Sequence, residues 1–175
     1  KRKILSIFGT RPEAIKMAPI VKALEADSRF DGYVLLTGQH VQMLDDVVQL
    51  FSMPIWRDLN VMKQRQTLPY LTATLATRIS DSLAELGPDM VLVHGDTTTT
   101  FMGALAAIYA KIPVGHVEAG LRSYQKFSPF PEEVNRVLTD QISDVCFAPP
   151  EEARQNLLRA GVGTDRIDIV GNSIV

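Results

Sequence analysis

The amino-acid sequence predicts an α/β fold, a Rossmann-like open parallel sheet flanked by helices. Short runs of apolar and β-branched residues alternate along the chain with longer segments of helical periodicity. This alternation is typical of repeated strand–helix–strand units with right-handed crossovers. The short runs are apolar at consecutive positions rather than at every second one, as expected for strands with both faces covered.

Six strands and six helices are predicted in chain order. The strands are Ile4–Phe8, Tyr33–Thr37, Met90–His94, Val114–Val117, Val145–Ala148 and Ile167–Val170. The helices lie at about 18–27, 40–51, 67–86, 98–110, 131–142 and 150–160. We expect residues 1–170 to form one domain and residues 171–175 to begin the connection to a second, nucleotide-binding domain.

Glycine and proline define several element boundaries. Gly87-Pro88 ends the third helix and Ile112-Pro113 precedes the strand at Val114, because proline cannot continue a helix. Pro19 is expected to stand at the beginning of the first helix, near Ala18. Residues 9–17 are then a loop and a turn that can contact a ligand.

Composition excludes several classes of protein. The 175 residues suffice for one domain with a real core, and 46% hydrophobic and 22% charged residues are ordinary for a globular protein. A net charge of −2 gives no sign of a nucleic-acid or anionic-membrane partner. Cys146 is the single cysteine, so no disulfide forms within one chain, and we expect it to be a small buried hydrophobe. With neither a signal peptide nor a membrane span recognised, we expect a cytoplasmic protein.

The segment from Gly9 to Lys16 directly follows the first strand, where many α/β proteins bind phosphate. It lacks both the GxGxxG fingerprint and the P-loop pattern. It offers Gly9 for close backbone approach and two cations, Arg11 and Lys16, which are candidates for contact with an anionic ligand. The alternative is a surface ion pair of either cation with Glu13.

Carboxylates follow two further strands. Asp96 ends the run VHGD and precedes four threonines, so it is either a helix cap or a catalytic or substrate-binding group. Glu118 ends the run HVE, and its alternatives are a local ion pair with Arg122 or an acid/base or cation-stabilising role. Because the carboxyl ends of parallel strands meet at one edge of the sheet, both should face the same crevice.

A fourth segment, PFPEEVNR, begins a helix. Pro131 suits the first helical position, and acidic residues favour the positive end of the helix dipole. Glu132 and Arg136 are four residues apart on one helical face, so they can act together on a ligand.

A metal site is the main alternative interpretation of these motifs. His94 and His116 each precede a carboxylate by two positions, which places the pairs on one side of a strand. That arrangement would suit a divalent-metal phosphoesterase. Mid-strand histidines are, however, expected to point into the fold, so we do not predict a metal.

The chain closely resembles the bacterial non-hydrolysing UDP-N-acetylglucosamine 2-epimerases through nearly its whole length. The motifs that carry the resemblance are GTRPEAIKMAP at 9–19, TGQHVQML at 37–44, VLVHGDTTTT at 91–100, PVGHVEAGLR at 113–122, SPFPEEVNR at 128–136 and the terminal VGNS. The resemblance implies the first half of a two-domain enzyme of the glycosyltransferase-B type, and we expect this half to be inactive alone. It implies interconversion of UDP-GlcNAc and UDP-ManNAc without NAD or metal, and a homodimer when complete.

The resemblance also implies roles for individual residues. Asp96, Glu118 and Glu132 match the family's catalytic acids, and Arg11, Lys16 and Arg136 match its substrate-contacting positions. The positions implicated in activation by a second UDP-GlcNAc are Gln39, Gln42, Arg65 and Glu132. The competing functions are a glycosyltransferase of similar architecture, a non-catalytic sugar-nucleotide sensor and a hydrolysing relative that releases ManNAc.

Overall fold

The structure, a computed structural model, describes residues 1–38, 41–61 and 63–173, of which 41–43 only by their backbone. Its strands are β1 (Arg2–Phe8), β2 (Phe30–Leu36), β3 (Ile55–Asp58), β4 (Met90–His94), β5 (Val114–Val117), β6 (Val145–Ala148) and β7 (Ile167–Ile169). Its helices are α1 (Arg11–Ala26), α2 (Val41–Leu50), α3 (Leu68–Leu86), α4 (Thr98–Tyr109), α5 (Glu132–Ile142) and α6 (Glu151–Arg159), with a 3-10 turn at Thr164–Arg166.

The strands form one parallel sheet in the order β3-β2-β1-β4-β5-β6-β7. The predicted α/β class and parallel sheet are therefore confirmed. The direction of strand order reverses between β1 and β4, so the loops that leave these two strands diverge and open a crevice. Open α/β sheets bind ligands at such a switch point.

Hydrophobic packing on both faces explains the consecutive apolar positions of the strands. Leu5 and Ile7 of β1 pack with residues of α3 and α4, whereas Ile4 and Phe8 pack with residues of α1 and α2. Cys146 lies in a third cluster with α6 and is fully buried, as predicted. Burial raises the pKa of its thiol to about 12, so the sulfur stays protonated and unreactive.

The first helix begins earlier than predicted. It starts at Arg11, so the prediction of a loop over residues 9–17 is wrong, and Pro19 lies inside the helix. Thr10 and Glu13 form a capping box that stabilises this start, and Pro12 in the first turn needs no hydrogen-bond donor. The buried side of the helix, which includes Met17, holds the segment against the sheet on both sides of the proline.

The structure contains a strand that the sequence does not predict. β3 is a four-residue strand at the edge of the described sheet that pairs with β2, with an irregular register next to Val34. Its residues from Ile55 to Arg57 are half-buried rather than continuously buried, so the sequence lacks the long apolar run of the central strands. The predicted end of the third helix is confirmed, since Gly87 takes φ +60° and its N–H bonds the carbonyl of Leu83.

The helices are otherwise close to the predicted ranges. The predicted first residue of the second helix, position 40, lies outside the described residues. Within the described ranges, no helix combines the length and the hydrophobicity that crossing a bilayer requires.

Candidate active site

Glu13 joins the two loops that flank the switch point. One carboxylate oxygen accepts hydrogen bonds from the backbone N–H groups of Gly9 (2.7 Å) and Thr10 (2.9 Å), and the other accepts from Thr97 Oγ1 (2.5 Å). The residue is only 3% exposed. The proposed ion pair of Glu13 with Arg11 or Lys16 is therefore wrong, and the N–H groups of this loop are already occupied by an internal anion.

Asp96 does not cap α4. Thr97 is the N-cap residue, and its hydroxyl accepts from the N–H of Thr100 while the Thr100 hydroxyl accepts from the N–H of Thr97. The carboxylate of Asp96 is thereby left at the mouth of the crevice, half-buried, with its own backbone carbonyl bound by Asn135 Nδ2 at 3.0 Å. The capping interpretation of Asp96 is excluded by this geometry.

Glu118 pairs with Lys16 rather than with Arg122. Lys16 Nζ lies 2.5 Å from Glu118 Oε2, and His94 Nε2 lies 3.6 Å from the same oxygen. Burial alone would raise the pKa of Glu118, but His94 and Lys16 more than offset it and lower the pKa from 4.5 to about 2. Glu118 also has φ +63°, a conformation that non-glycine residues rarely adopt and that is often found at functional sites.

Asp96 has the opposite electrostatic environment. Burial is the largest effect and raises its pKa, Arg136 acts to lower it, and the negative charges of Glu132 and Glu118 raise it further. The net effect is a raised pKa. The surroundings thus raise the pKa of Asp96 and lower the pKa of Glu118. In enzymes, such opposite shifts distinguish a carboxylate that transfers protons from one that acts only through its charge.

Arg136 connects α5 to the crevice. Its Nε bonds Glu133 Oε1 at 2.5 Å and its Nη1 lies 3.4 Å from Asp96 Oδ2. Arg136 therefore pairs with Glu133 three residues before it, whereas the sequence suggested joint action with Glu132. Glu133 is buried and also accepts from the backbone N–H groups of Ser123 and Tyr124. Glu132 stays half-buried beside Asp96, where its charge raises the pKa of that residue.

A cavity of about 350 Å³ opens beside Glu118. His94 lines it together with apolar side chains from α1, β5 and β6. His94 is 4% exposed, and neither of its ring nitrogens has a hydrogen-bond partner in the described part of the chain. A buried polar group of this kind is uncommon in proteins and suits contact with a ligand.

The second histidine, His116, is fully buried. Its Nδ1 lies 2.6 Å from Asp140 Oδ1 and its Nε2 lies 2.7 Å from the carbonyl oxygen of Gly95. His116 therefore points into the fold, as predicted, whereas His94, the last residue of β4, lines the cavity beside Glu118. Over residues 1–38, 41–61 and 63–173, no three His, Cys, Asp or Glu side chains are arranged to hold a metal ion.

The structure brings together most of the predicted site residues. Asp96, Glu118, Glu132, Lys16 and Arg136 lie around the crevice. Arg11 is exposed in the first turn of α1, and Arg65 is exposed with φ +57°. Gln39 and the side chain of Gln42 lie outside the described residues.

Sequence reasoning missed the residues that support this cluster. The capping-box pattern from Thr10 to Glu13 was a visible signal for Glu13. Glu133 stood three positions before Arg136, an ordinary spacing for a helical ion pair. Asp140 gave no such signal, because its burial depends on how α5 packs across β5.

A parallel sheet with carboxylates and cations converging at its switch point defines an α/β protein that binds a ligand at the carboxyl ends of its strands. Comparison with known proteins agrees. A family model for UDP-N-acetylglucosamine 2-epimerase matches residues 22–175. The UDP-N-acetylglucosamine 2-epimerase of Bacillus subtilis is 51% identical over 175 residues, covering 100% of this chain and 46% of that protein.

Solved structures are equally similar. The UDP-GlcNAc 2-epimerase of Neisseria meningitidis bound to UDP-GlcNAc superposes with a TM-score of 0.95 at 49% identity, covering 98% of this chain and 46% of that one. Acinetobacter baumannii MurG has the same fold, with a TM-score of 0.60 at 15% identity over 85% of this chain and 41% of its own. The chain belongs to the UDP-N-acetylglucosamine 2-epimerase family, and it spans about half the length of the relatives it matches.

Proposed function

We propose that this chain is the N-terminal half of a two-domain enzyme that interconverts UDP-GlcNAc and UDP-ManNAc without NAD or a metal ion. The observation that carries the proposal is the convergence of Asp96, Glu118 and Glu132 with Lys16 and Arg136 at the switch point. Family membership and the UDP-GlcNAc complex of the Neisseria relative support the substrate. Residues 1–170 form the first domain in this proposal, and 171–175 lead to the second.

The chemistry explains why several carboxylates are required. The proton on carbon 2 of the sugar is not adjacent to a carbonyl, so its direct removal is very difficult. Breaking the anomeric C–O bond sends its electron pair to the β-phosphate oxygen and leaves positive charge at carbon 1, which acidifies that proton. A carboxylate takes the proton, giving 2-acetamidoglucal and UDP. Re-formation of the original C1–O bond to UDP, with a proton added to the other face of carbon 2, gives the epimer.

The opposite pKa shifts suggest different roles for two of these carboxylates. Glu118, with a pKa of about 2, remains ionised and suits stabilisation of the positive charge on the sugar ring, as carboxylates do in glycosidases. Asp96, with its raised pKa, suits proton transfer. Lys16, Arg11 and Arg136 would hold the anionic leaving group or the substrate. Glu132, beside Asp96, is the candidate for the proton on the other face.

The hydrogen bonds of Glu13 suggest that the two halves of the enzyme bind different parts of the substrate. Because its carboxylate occupies the N–H groups of Gly9 and Thr10, these donors are not free to bind a phosphate. The diphosphate would then be held mainly by the second domain, while this chain supplies the groups around the sugar. This chain alone is accordingly expected to have little or no activity.

Activation by a second UDP-GlcNAc is a further part of the proposal. Gln39, Gln42, Arg65 and Glu132 are the residues we expect to contact the activator. Hyperbolic kinetics of the complete enzyme at all substrate concentrations would count against it. We also expect a homodimeric complete enzyme in the cytoplasm, and light scattering would test the dimer.

Product analysis tests the central assignment. A full-length protein containing this chain would be incubated with UDP-GlcNAc, and the nucleotides and sugars would be separated by anion-exchange chromatography. UDP-ManNAc as the product supports the epimerase, free ManNAc with UDP indicates a hydrolysing relative, and sugar transfer to an added acceptor indicates a glycosyltransferase. Asp96→Asn should lower the rate about 10²–10⁴-fold, whereas Asp46→Asn, on an exposed position of α2, should not.

A further inference from the structure

A buried proton-sharing pair lies behind the crevice. His116 and Asp140 are both completely inaccessible to solvent, and Nδ1 of the ring lies 2.6 Å from Oδ1 of the carboxylate. On the opposite side of the ring, Nε2 lies 2.7 Å from the backbone carbonyl oxygen of Gly95, the residue before Asp96. The catalytic cluster described above does not use either side chain directly.

The hydrogen-bond partners determine how many protons the pair holds. A carbonyl oxygen can only accept, so Nε2 of His116 must carry a proton. The 2.6 Å contact at Nδ1 requires a second proton between the ring and Asp140, because two lone pairs at that distance would repel. His116 and Asp140 together therefore hold two protons, one more than a neutral imidazole beside an ionised carboxylate would hold.

The charged groups around the pair favour an imidazolium next to an ionised carboxylate. The second oxygen of Asp140 accepts from Arg122 Nη1 at 2.7 Å and from the N–H of Gly120 at 3.2 Å. Arg166 bonds the backbone carbonyl of Asp140, and the neutral thiol of Cys146 faces the same carbonyl. Burial acts to raise the pKa of Asp140, but His116 and Arg122 more than offset it and the net pKa is lowered.

Gly95 has no side chain to pack, so hydrogen bonds to backbone groups hold the Gly95–Asp96 turn. Gly95 has φ +74°, and a Cβ added there would meet no atom within 4 Å. The turn is instead fixed by three hydrogen bonds: Gly95 N–H to the carbonyl of Val117, His116 to the carbonyl of Gly95, and Asn135 to the carbonyl of Asp96. His116 and Asn135 thus bind the two successive carbonyl groups that bracket Asp96.

We propose that His116, held doubly protonated by Asp140, is a positioning residue that fixes the Asp96 carboxylate through the carbonyl of Gly95. This inference rests on the proposed catalytic role of Asp96. A catalytic group displaced by about 1 Å can lose about 10²-fold in rate. Loss of the contact should therefore lower kcat while leaving substrate affinity largely intact.

The protonation of the ring is tested without activity. The 175-residue chain would be labelled with 15N-histidine, and long-range 1H–15N spectra recorded at pH 8, with His116 assigned from the signal lost in His116→Gln. We expect both ring nitrogens of His116 to carry a proton, because each lies within 2.7 Å of an oxygen that accepts hydrogen bonds. A singly protonated ring at pH 8 would overturn the proposal.

Two substitutions of His116 distinguish a role in positioning Asp96 from a role in stability alone. In a full-length enzyme, the amide nitrogen of His116→Gln can stand where Nε2 stood and still donate to Gly95, whereas the shorter His116→Asn cannot. We expect His116→Asn to lower kcat about 100-fold with KM within about threefold, and His116→Gln to retain at least ten times more activity. Equal kcat values for the two variants, each measured per folded molecule from circular dichroism, would contradict positioning.

The two assays also distinguish the failure of this inference from the failure of the proposed function. A wild-type enzyme that does not epimerise UDP-GlcNAc refutes the function, while the 15N spectra still report on the pair. An active wild-type enzyme whose His116→Asn variant keeps its kcat refutes the positioning role alone.

Discussion

Lys16 and Glu118 are 102 residues apart in the sequence and form an ion pair with Nζ and Oε2 2.5 Å apart. Lys16 comes from α1, which follows β1, and Glu118 follows β5. The pair therefore spans the switch point and orients a carboxylate that already has an unfavourable backbone conformation. Its side chains are 27% and 19% exposed, so solvent screens it less than it screens the surface pairs.

Replacing Lys16 by Met should destabilise the fold in a pH-dependent manner. The pKa of Glu118 is about 2 in the folded chain and 4.5 as a reference, so the stabilisation is present above pH 4.5 and is lost as pH falls through 2. The full shift corresponds to about 3 kcal/mol. Because His94 and solvent account for part of it, we expect a loss of about 1–2 kcal/mol at pH 7 by urea denaturation.

Lys22→Met is the matched control, because Lys22 lies on the same helix and pairs with Glu25 at an exposed position. Its effect should be below about 0.5 kcal/mol. The difference between wild type and Lys16→Met should shrink as pH is lowered from 4.5 towards 2. A difference that stays constant over that range would show that Glu118 is not the group responsible.

Glu13→Gln should destabilise the chain although the side chain keeps its size. The amide nitrogen would face either the N–H groups of Gly9 and Thr10, which then lose their acceptor, or Thr97 Oγ1, whose proton must then turn to Thr100 Oγ1. In both orientations the hydrogen bonds to an ionised carboxylate are lost or weakened, at a cost of about 1–3 kcal/mol. Urea denaturation measures this loss, and Glu25→Gln on the exposed side of α1 should cost less than about 0.5 kcal/mol.

Gly120 and Gly161 provide a comparison of two glycines with the same backbone conformation. Their φ angles are +86° and +84°, but a Cβ at Gly120 would lie 2.4 Å from the carbonyl oxygen of Ala153, whereas one at Gly161 would meet no atom within 4 Å. Gly161→Ala should cost about 1 kcal/mol from backbone strain alone. Gly120→Ala adds a clash with backbone and should cost about 3–5 kcal/mol. Equal melting temperatures for the two variants would contradict the packing of α6 against this loop.

The pH–rate profile should report the environment of Asp96. Burial raises the pKa of Asp96, and Arg136 is the main group that opposes the rise. If ionised Asp96 takes the proton, the acid limb of kcat/KM lies above the usual range of aspartate, and Arg136→Met moves it higher still. Arg154→Met, which removes a cation from the exposed side of α6, should leave the limb in place. A downward shift in Arg136→Met would contradict the assignment.

The sequence was sufficient for the strands of the sheet other than β3 and for the location of Asp96 and Glu118 at the crevice, because continuous apolar runs identify these strands and their ends mark the crevice. It was insufficient for β3, whose half-buried edge position leaves no such run. Pro19 placed the predicted start of α1 too late in the sequence. The capping box at Thr10 and the buried face containing Met17 outweigh the local penalty of a proline within the helix.

The sequence does not predict which charged side chains form ion pairs across the fold, for a related reason. Arg122 is near Glu118 in sequence, but it bonds Asp140 of α5. Glu118 instead pairs with Lys16, which lies on the other side of the switch point. Local spacing identifies which charges can meet on one element. It does not reveal which elements the topology brings together.

The most direct test of the proposed mechanism is proton NMR of UDP-GlcNAc in D2O with a full-length protein that contains this chain, without added NAD or metal. We predict that deuterium replaces the proton on carbon 2 and that UDP-ManNAc appears, with both events greatly slowed in Asp96→Asn. If carbon 2 keeps its proton while the sugar is released or transferred, elimination through 2-acetamidoglucal is contradicted, and the carboxylates around the crevice serve another reaction.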